Sequence, residues 1–131
     1  MENKEGLIWY DGNLVDWKDA KLHVLTHGLH YASSVFEGER SYSGRIFKLH
    51  EHTERLLYSA SELDFEIPYS IDEIKQASYL TLEKNNLVDA YIRPIAWRGA
   101  ETVGVSAQNT KIHFAIAVWE WPSYFLSLIH I

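Results

Sequence analysis

Three arginines are the residues of this 131-residue chain best suited to binding chemistry, because each lies in or beside an apolar segment. Arg93 lies within the run 91–95, where a guanidinium is costly to desolvate unless an anion neutralises it. Arg40, Arg55 and Arg93 each offer a planar fork of donors that fits a carboxylate or a phosphate. The sequence therefore predicts that one of them binds an anion, with ordinary salt bridges as the alternative.

Three histidines, His23, His27 and His30, follow one another at spacings of four and three residues. On a helix they would share one face, which is an arrangement that can bind a metal ion. No carboxylate follows the same face pattern, and residues 21–31 show no clear period. Partly exposed or backbone-bonded histidines are the alternative, and we predict no metal site.

The sequence contains no self-contained catalytic motif. It has no cysteine, which excludes disulfides, thiolate catalysis, cysteine-type zinc sites and iron–sulfur clusters. No serine lies in a nucleophile elbow, and Gly99 and Gly104 lack the spacing and the lysine of a phosphate-binding loop. The arginines are therefore the main candidates.

Composition limits the partners of the chain, whose length is that of one domain. Twelve basic and eighteen acidic residues give a formal net charge of −6, which argues against nucleic acid or an anionic membrane. No apolar run is long enough to cross a membrane, and residues 1–6 do not resemble a secretory signal, so we expect a cytoplasmic protein. The chain is rich in aromatic residues, with five Trp, eight Tyr and five Phe. Some of them line an interface or a ligand cavity, or else all of them are ordinary core and strand residues.

The elements that must position these residues follow an α+β pattern. Turn residues between short apolar segments predict two hairpins, and two helical segments and two long strands come after them. Because the helices are segregated from the hairpin strands, we predict an antiparallel sheet with two helices on one face. The predicted strands are 7–10 with 14–15, 34–42 with 45–49, 90–98 and 111–121, with a loop over 99–110.

The two helices have distinct sequence signals. The first, over 49–63, has apolar residues on one side, and the second begins at a Ser70–Glu73 capping box and runs to about Lys84. Pro94 cannot donate to a sheet, so its strand is predicted to lie at an edge or to be interrupted by a bulge nearby. The predicted inward residues are Leu49, Leu56, Leu57, Ala60 and Leu63 in the first helix and Ile71, Ile74, Ala77, Ser78 and Leu82 in the second.

Five segments carry a family resemblance. They are Ile8-Trp9-Tyr10-Asp11-Gly12, His27-Gly28-Leu29-His30-Tyr31, Ser34-Val35-Phe36-Glu37-Gly38 with Arg40-Ser41-Tyr42, Glu51-His52-Thr53-Glu54-Arg55-Leu56, and Tyr91-Ile92-Arg93-Pro94. Taken together and in order, they resemble the branched-chain amino-acid aminotransferases, fold-type IV enzymes that use pyridoxal 5′-phosphate. Each segment alone is a weak signal, but five in register are specific, and the likeness runs from about Leu7 to Tyr124.

The resemblance assigns roles to five residues. Arg55 matches the arginine that binds the cofactor phosphate. Tyr31, Phe36, Tyr91 and Arg93 match residues that line the substrate pocket, where aromatic walls suit an aliphatic side chain and Arg93 suits a carboxylate. The implied reaction is transamination of Val, Leu or Ile with 2-oxoglutarate. In the family part of the pocket is built across a homodimer interface, so a homo-oligomer is also implied.

Three departures from the family pattern bear on function. Glu39 stands where the family generally has an apolar residue, and Ala32 replaces a frequent glycine. Family members also have a second domain with the Schiff-base lysine and the acid that holds the cofactor ring, and none of the seven lysines here matches that lysine. The resemblance thus implies an N-terminal small domain over 1–125, an atypical tail over 126–131 from a truncation or frameshift, no catalytic residue, and no activity alone.

Two other interpretations stay open. One is a stand-alone small-anion-binding or dimerisation domain that has kept the fold and lost catalysis. The other is a part of a fold-type IV lyase or D-amino-acid aminotransferase, since these enzymes share the Phe-Glu and Arg-Leu elements. They usually have a Phe-Gly-Asp type sequence where this chain has Tyr31-Ala32-Ser33-Ser34, so the branched-chain group is preferred.

Overall fold

Seven strands form one sheet in the computed structural model, which describes residues 1–102 and 109–121. The strands are β1 (Leu7–Tyr10), β2 (Asn13–Asp16), β3 (Ser34–Phe36), β4 (Glu39–Tyr42), β5 (Arg45–Ile46), β6 (Ala90–Arg98) and β7 (Ile112–Glu120). The helices are α1 (His27–Tyr31), α2 (Leu49–Glu62) and α3 (Ile71–Lys84), with a 3₁₀ turn at Trp17–Asp19.

The sheet brings the first and last described strands together at its centre. Its order is β2-β1-β7-β6-β4-β5, with β3 also paired to β6, and every pair is antiparallel. β6 and β7 pair along nine residues each, from Ala90 opposite Glu120 to Arg98 opposite Ile112. The predicted α+β fold, an antiparallel sheet with two helices on one face, is confirmed.

The main core lies between the sheet and helices α2 and α3. Leu56 of α2 and Ile74 of α3 are buried against Ile92, Phe114 and Ile116 of the sheet. The helix bounds agree with the predicted segments, but the predicted inward position of Leu63 is wrong. α2 ends at Glu62, and the Leu63 side chain is exposed.

Helix α3 begins at the predicted capping box. The Ser70 hydroxyl accepts a hydrogen bond from the Glu73 N–H at 3.1 Å, and the Glu73 carboxylate accepts from the Ser70 N–H at 2.9 Å. Two N–H groups that the helix cannot satisfy internally are therefore paired, which fixes where α3 starts.

Pro94 lies in a central strand, so the predicted edge position is wrong, and the interruption lies in the partner strand. β3 and β4 pair with β6 in one continuous register that breaks at Glu37 and Gly38. The Pro94 carbonyl accepts from the Glu37 N–H at 3.1 Å, but proline has no N–H to donate in return. This explains why the single predicted strand 34–42 is two strands.

Residues 20–33, which include α1, lie against the sheet face opposite α2 and α3, where Leu22 and Leu29 line a cavity together with Trp97. Ala32 ends α1 with a φ of 56°, in the left-handed region that favours glycine. No described helix has the length and apolar character to span a membrane. The predicted boundary at residue 125 and tail 126–131, and residues 103–108 of the predicted loop, lie outside the described residues.

Candidate functional site

Four predicted or candidate residues share the sheet face opposite α2 and α3. Arg40 pairs with Tyr91 across β4 and β6, and Phe36 of β3 pairs with Ile95. Because paired residues lie on the same face and faces alternate along a strand, Phe36, Arg40, Tyr91 and Arg93 point to one side. We call these four residues the arginine–aromatic face.

Arg93 is held by both aromatic residues of this face. Its Nη2 donates to the Tyr91 hydroxyl at 2.7 Å, and its Cζ lies 4.3 Å from the centre of the Phe36 ring. Any side chain at position 38 would collide with the Tyr91 hydroxyl, so Gly38 provides the space that this hydroxyl needs. The guanidinium therefore has a defined position.

Arg40 lies beside Tyr91 among further rings. Its Cζ is 5.2 Å from the centre of the Tyr42 ring and 5.6 Å from that of Trp121. Its Nη2 donates to the Trp121 carbonyl at 3.4 Å, and the Tyr91 ring stacks on that of Trp121 at 5.2 Å. Two cations are thus embedded in an aromatic surface.

These two arginines carry buried donors that lack acceptors. Within residues 1–102 and 109–121, Nε and Nη1 of Arg40 and Nε of Arg93 have no hydrogen-bond partner, and neither arginine has an ion pair. A buried, unpaired guanidinium donor is energetically unfavourable. An anion with an apolar body would satisfy these donors while it contacts the rings.

Arg55 is paired with the buried carboxylate of Glu37, which lies at the break between β3 and β4. Its Nε donates to Glu37 Oε2 and its Nη2 to Glu37 Oε1, both at 2.7 Å. His52 Nδ1 lies 2.8 Å from Glu37 Oε1. Burial alone would raise the pKa of Glu37, but hydrogen bonds from Arg55 and His52 outweigh burial and lower it. Glu37 is therefore ionised and accepts three hydrogen bonds.

Glu39 is a second buried carboxyl, two residues further along the chain. The residue is 3% exposed, and its Oε1 has no hydrogen-bond partner in the described part of the chain. Burial, and then the charge of Glu37, raise the pKa of Glu39 to about 8. Glu39 is therefore largely protonated at neutral pH and leaves the negative charge on Glu37.

Comparison with known proteins identifies the family. A family model described as amino-transferase class IV matches residues 34–130, which include the arginine–aromatic face and Arg55. The chain belongs to the class IV aminotransferase family. This confirms the family predicted from the five sequence segments.

Two relatives of this chain are branched-chain-amino-acid aminotransferases by name. The branched-chain-amino-acid aminotransferase of Pseudomonas aeruginosa is 48% identical over 128 residues, which cover 95% of this chain and 42% of that protein. A probable branched-chain-amino-acid aminotransferase of Rickettsia felis is 50% identical over 110 residues, 84% of this chain and 38% of that protein.

Solved structures agree with these relatives. The branched-chain amino acid aminotransferase from Escherichia coli has a TM-score of 0.85 and 41% identity, over 90% of this chain and 42% of that chain. The branched-chain aminotransferase from the thermophilic archaeon Thermoproteus uzoniensis, solved with norvaline, has a TM-score of 0.84 and 34% identity, over 91% of this chain and 42% of that chain. The chain thus spans about two fifths of the length of these relatives.

The structure groups three of the five predicted site residues. Phe36, Tyr91 and Arg93 are in contact, whereas Arg55 joins them only through Glu37, the chain neighbour of Phe36. The exposed Tyr31 packs against His27 and His30, with ring centres 4.5 and 6.2 Å away. No described hydrogen bond or ring contact joins Tyr31 to the arginine–aromatic face.

The three spaced histidines do not share one site. His23 precedes α1 and accepts from the Leu25 N–H, His27 Nδ1 contacts the Ser33 hydroxyl, and His30 Nε2 contacts the Val24 carbonyl. Within the described ranges, no group of His, Cys, Asp and Glu has an arrangement suited to a metal ion. His23 lies outside α1, so the three histidines do not form the single helical face that the metal-ligand alternative requires.

Sequence reasoning left Glu37 and His52 without roles and did not select Arg40 among the three arginines. One signal was present: His52 and Arg55 are three residues apart on a helix and so share a face. Their common partner Glu37 lies 15 and 18 residues away in sequence, which no helical or strand period reveals. Arg40 becomes a candidate only once β4 is placed beside β6.

Proposed function

We propose that this chain provides the cofactor-phosphate arginine and part of the substrate wall of a branched-chain amino-acid aminotransferase that uses pyridoxal 5′-phosphate. The observation that carries the proposal is the set of unsatisfied guanidinium donors of Arg40 and Arg93 within an aromatic surface. A branched-chain amino acid or its 2-oxo acid combines a carboxylate with a short aliphatic body, which fits both parts of this surface. The names of the relatives favour this class over lyases and D-amino-acid enzymes.

Arg55 is our candidate for holding the cofactor phosphate. Its pairing with Glu37 uses two of the five guanidinium N–H groups, and its side chain is 66% exposed. The outer edge of the guanidinium is therefore accessible to a phosphate, which accepts two parallel hydrogen bonds well. When bound, pyridoxal 5′-phosphate supplies the electron sink for amino-group transfer, while the residues of this chain bind and orient.

Phe36, Tyr91 and Arg93 are our candidates for the substrate wall. Contact with the Phe36 and Tyr91 rings selects an aliphatic side chain at about 0.8 kcal/mol for each buried CH₂ group. Arg93 provides the carboxylate contact, and Tyr91 limits how far its guanidinium can move. The same arginine suits 2-oxoglutarate, which carries carboxylates at both ends.

Tyr31 is our candidate for a pocket residue shared between subunits. It is exposed and lies apart from the other pocket candidates, so its ring can contribute to the pocket of a second copy in a homo-oligomer. We also propose that the protein acts in the cytoplasm. Six of the seven lysines are exposed and Lys75 is only half-buried, so we expect no lysine of this chain to carry the cofactor, and no turnover by it alone.

Binding of a 2-oxo acid tests the proposed substrate wall. We expect Arg93→Gln to weaken binding of 4-methyl-2-oxopentanoate by about tenfold or more, because a charge-assisted hydrogen bond contributes about 1.5–3 kcal/mol. Titration of the 131-residue chain, followed by tryptophan fluorescence, measures the dissociation constant. Arg45→Gln is the matched control, since Arg45 is exposed at β5. Equal affinities for wild type and Arg93→Gln would remove Arg93 from the site.

A further inference from the structure

We propose that Glu37 is a positioning residue that fixes the Arg55 guanidinium for a phosphate, with His52 holding the Glu37 carboxylate in place. The inference rests on the proposed function of Arg55. It adds Glu37 and His52 to the site, and neither residue belongs to the arginine–aromatic face.

The side chains of Glu37, His52 and Arg55 are increasingly exposed, from the interior to the surface. The Glu37 side chain is 4% exposed, that of His52 is 24% exposed and that of Arg55 is 66% exposed. Glu37 is anchored by the sheet, because its N–H donates to the Pro94 carbonyl at 3.1 Å. The buried carboxylate is therefore the fixed partner, and Arg55 is the mobile side chain that it immobilises.

The pairing geometry determines which edge of Arg55 is left for a ligand. Glu37 binds the edge formed by Nε and Nη2, so the remaining N–H groups belong to Nη1 and to the second hydrogen of Nη2. These groups have no partner among the described residues and lie on the exposed end of the side chain. They form the fork that takes two phosphate oxygens.

His52 completes the hydrogen bonding of Glu37. Because an ionised carboxylate only accepts, the Nδ1 atom of His52 carries the proton in this contact. His52 and Arg55 lie one turn apart on α2, so both donors come from the same rigid helix. Because faces alternate along a strand, Glu37 lies on the face opposite that of its neighbour Phe36, and its carboxylate therefore meets α2.

An electrostatic effect and a positioning effect of Glu37 have opposite signs. If Glu37 acted only through its charge, its removal would strengthen phosphate binding, because it lies beside the cation that binds the phosphate. If it positions Arg55, its removal weakens binding, because a free arginine must be immobilised when the ligand binds. The direction in which phosphate affinity changes when Glu37 is replaced therefore distinguishes the electrostatic effect from the positioning effect.

The test compares two probes that differ only in the phosphate. Pyridoxamine 5′-phosphate and pyridoxamine, neither of which reacts with surface lysines, are titrated into the 131-residue chain by calorimetry. We expect wild type to prefer the phosphorylated probe, and Glu37→Gln to bind it about three- to tenfold more weakly with pyridoxamine unchanged. Glu54→Gln is the control. Like Glu37→Gln it removes one negative charge, but Glu54 is an exposed residue of α2 that pairs with His50. We expect it to preserve the preference.

A second measurement follows Arg55 itself. Solvent exchange of the Arg55 Nε–H, measured by NMR, should be slow in wild type and Glu54→Gln and fast in Glu37→Gln. His52→Gln, which leaves the ion pair intact, should show an intermediate loss of affinity and provides the test if Glu37→Gln does not fold. A wild type without preference for the phosphorylated probe would overturn the phosphate role of Arg55 and, with it, the positioning role. A preference unchanged or increased in Glu37→Gln would overturn the positioning role alone.

Discussion

Buried charges in this chain fall into two kinds at the residue scale. The Glu37 carboxylate is fully hydrogen-bonded, whereas the guanidinium groups of Arg40 and Arg93 keep donors without acceptors. A satisfied buried charge stabilises or positions its partner, and an unsatisfied one favours a ligand that completes it. This difference separates the supporting residues from the proposed substrate contacts.

Glu39 gives a prediction for the pH dependence of stability. Its pKa is raised from 4.5 to about 8 in the folded chain, so between these values the folded state binds the proton more tightly than the unfolded state. Stability from this group is therefore present at low pH and is lost as the pH rises from about 4.5 to 8. We expect Glu39→Gln to gain on wild type with a slope approaching about 1.4 kcal/mol per pH unit in that window.

Urea unfolding of both proteins between pH 4.5 and 9 measures this slope. Glu66→Gln is the matched control, since Glu66 is exposed, and its stability difference from wild type should be nearly constant with pH. A flat difference between Glu39→Gln and wild type would show that Glu39 does not titrate as a buried acid.

At the scale of elements, prediction succeeded where the signal was local. The two long helices, the Ser70 capping box and β6 were predicted from periodicity and short-range patterns. The split of 34–42 and the central position of Pro94 were missed, because both depend on which strands pair across the sheet. Leu63 was placed inward by its apolar character, although the helix ends just before it.

The candidate site shows the same limit. Phe36 and Tyr91 were found only through the family resemblance, since no sequence period links residues of β3, α2 and β6. Arg55 and Arg93 were already candidates for binding an anion, but only the resemblance gave them separate roles. The contact of Arg93 with Phe36 joins positions 57 residues apart, and it follows from the strand register alone. Glu37 was invisible for the same reason: a single acid in a strand carries no spacing that reveals a partner.

His113 of β7 forms hydrogen bonds with Asp11 and Glu101, which follow β1 and β6 in the chain. These contacts give a second prediction for the pH dependence of stability. The Nε2 atom of His113 lies 2.7 Å from Glu101 Oε2, and its Nδ1 contacts the Asp11 carboxylate after β1. Burial alone would lower the pKa of His113, but the hydrogen bonds to Asp11 and Glu101 outweigh it and raise the pKa above 6.5. The stabilisation is therefore full below pH 6.5 and is lost as the pH rises through the folded pKa.

We expect His113→Gln to cost about 1–3 kcal/mol at pH 6 and clearly less at pH 9, measured by urea unfolding. His50→Gln provides the comparison, because His50 forms an exposed pair with Glu54 and should cost little at either pH. An equal cost of His113→Gln at both pH values would mean that its charge does not hold these elements together.

The whole molecule has two unlike faces. One face of the sheet is covered by α2 and α3, while the other carries the arginine–aromatic face and a cavity of about 250 Å³ beneath residues 20–29. Beside that cavity is an exposed apolar strip, which we define as Leu22, Val24, Leu25, Leu29 and Tyr31. Contiguous exposed apolar residues are typical of a protein interface.

The proposed homo-oligomer predicts that this apolar strip mediates self-association. Leu29 is 64% exposed, so Leu29→Asp should leave the fold intact and weaken association at least about tenfold by burying a charge in the interface. Sedimentation of the 131-residue chain over a concentration series measures the effect. Val88→Asp, at a similarly exposed site before β6, should leave association unchanged. A monomeric wild type, or equal association of wild type and Leu29→Asp, would contradict the proposal.

The order of strands in the sheet also has a consequence for biosynthesis. Trp9 of β1 pairs with Ile116 of β7, more than a hundred residues later in the chain. A ribosome makes β1 and β6 before the strand that lies between them, so both carry open hydrogen-bonding edges until β7 emerges. Of the described strands, the one at the centre of the sheet is the last to be synthesised. The nascent chain is therefore most in need of a chaperone just before its sheet can close.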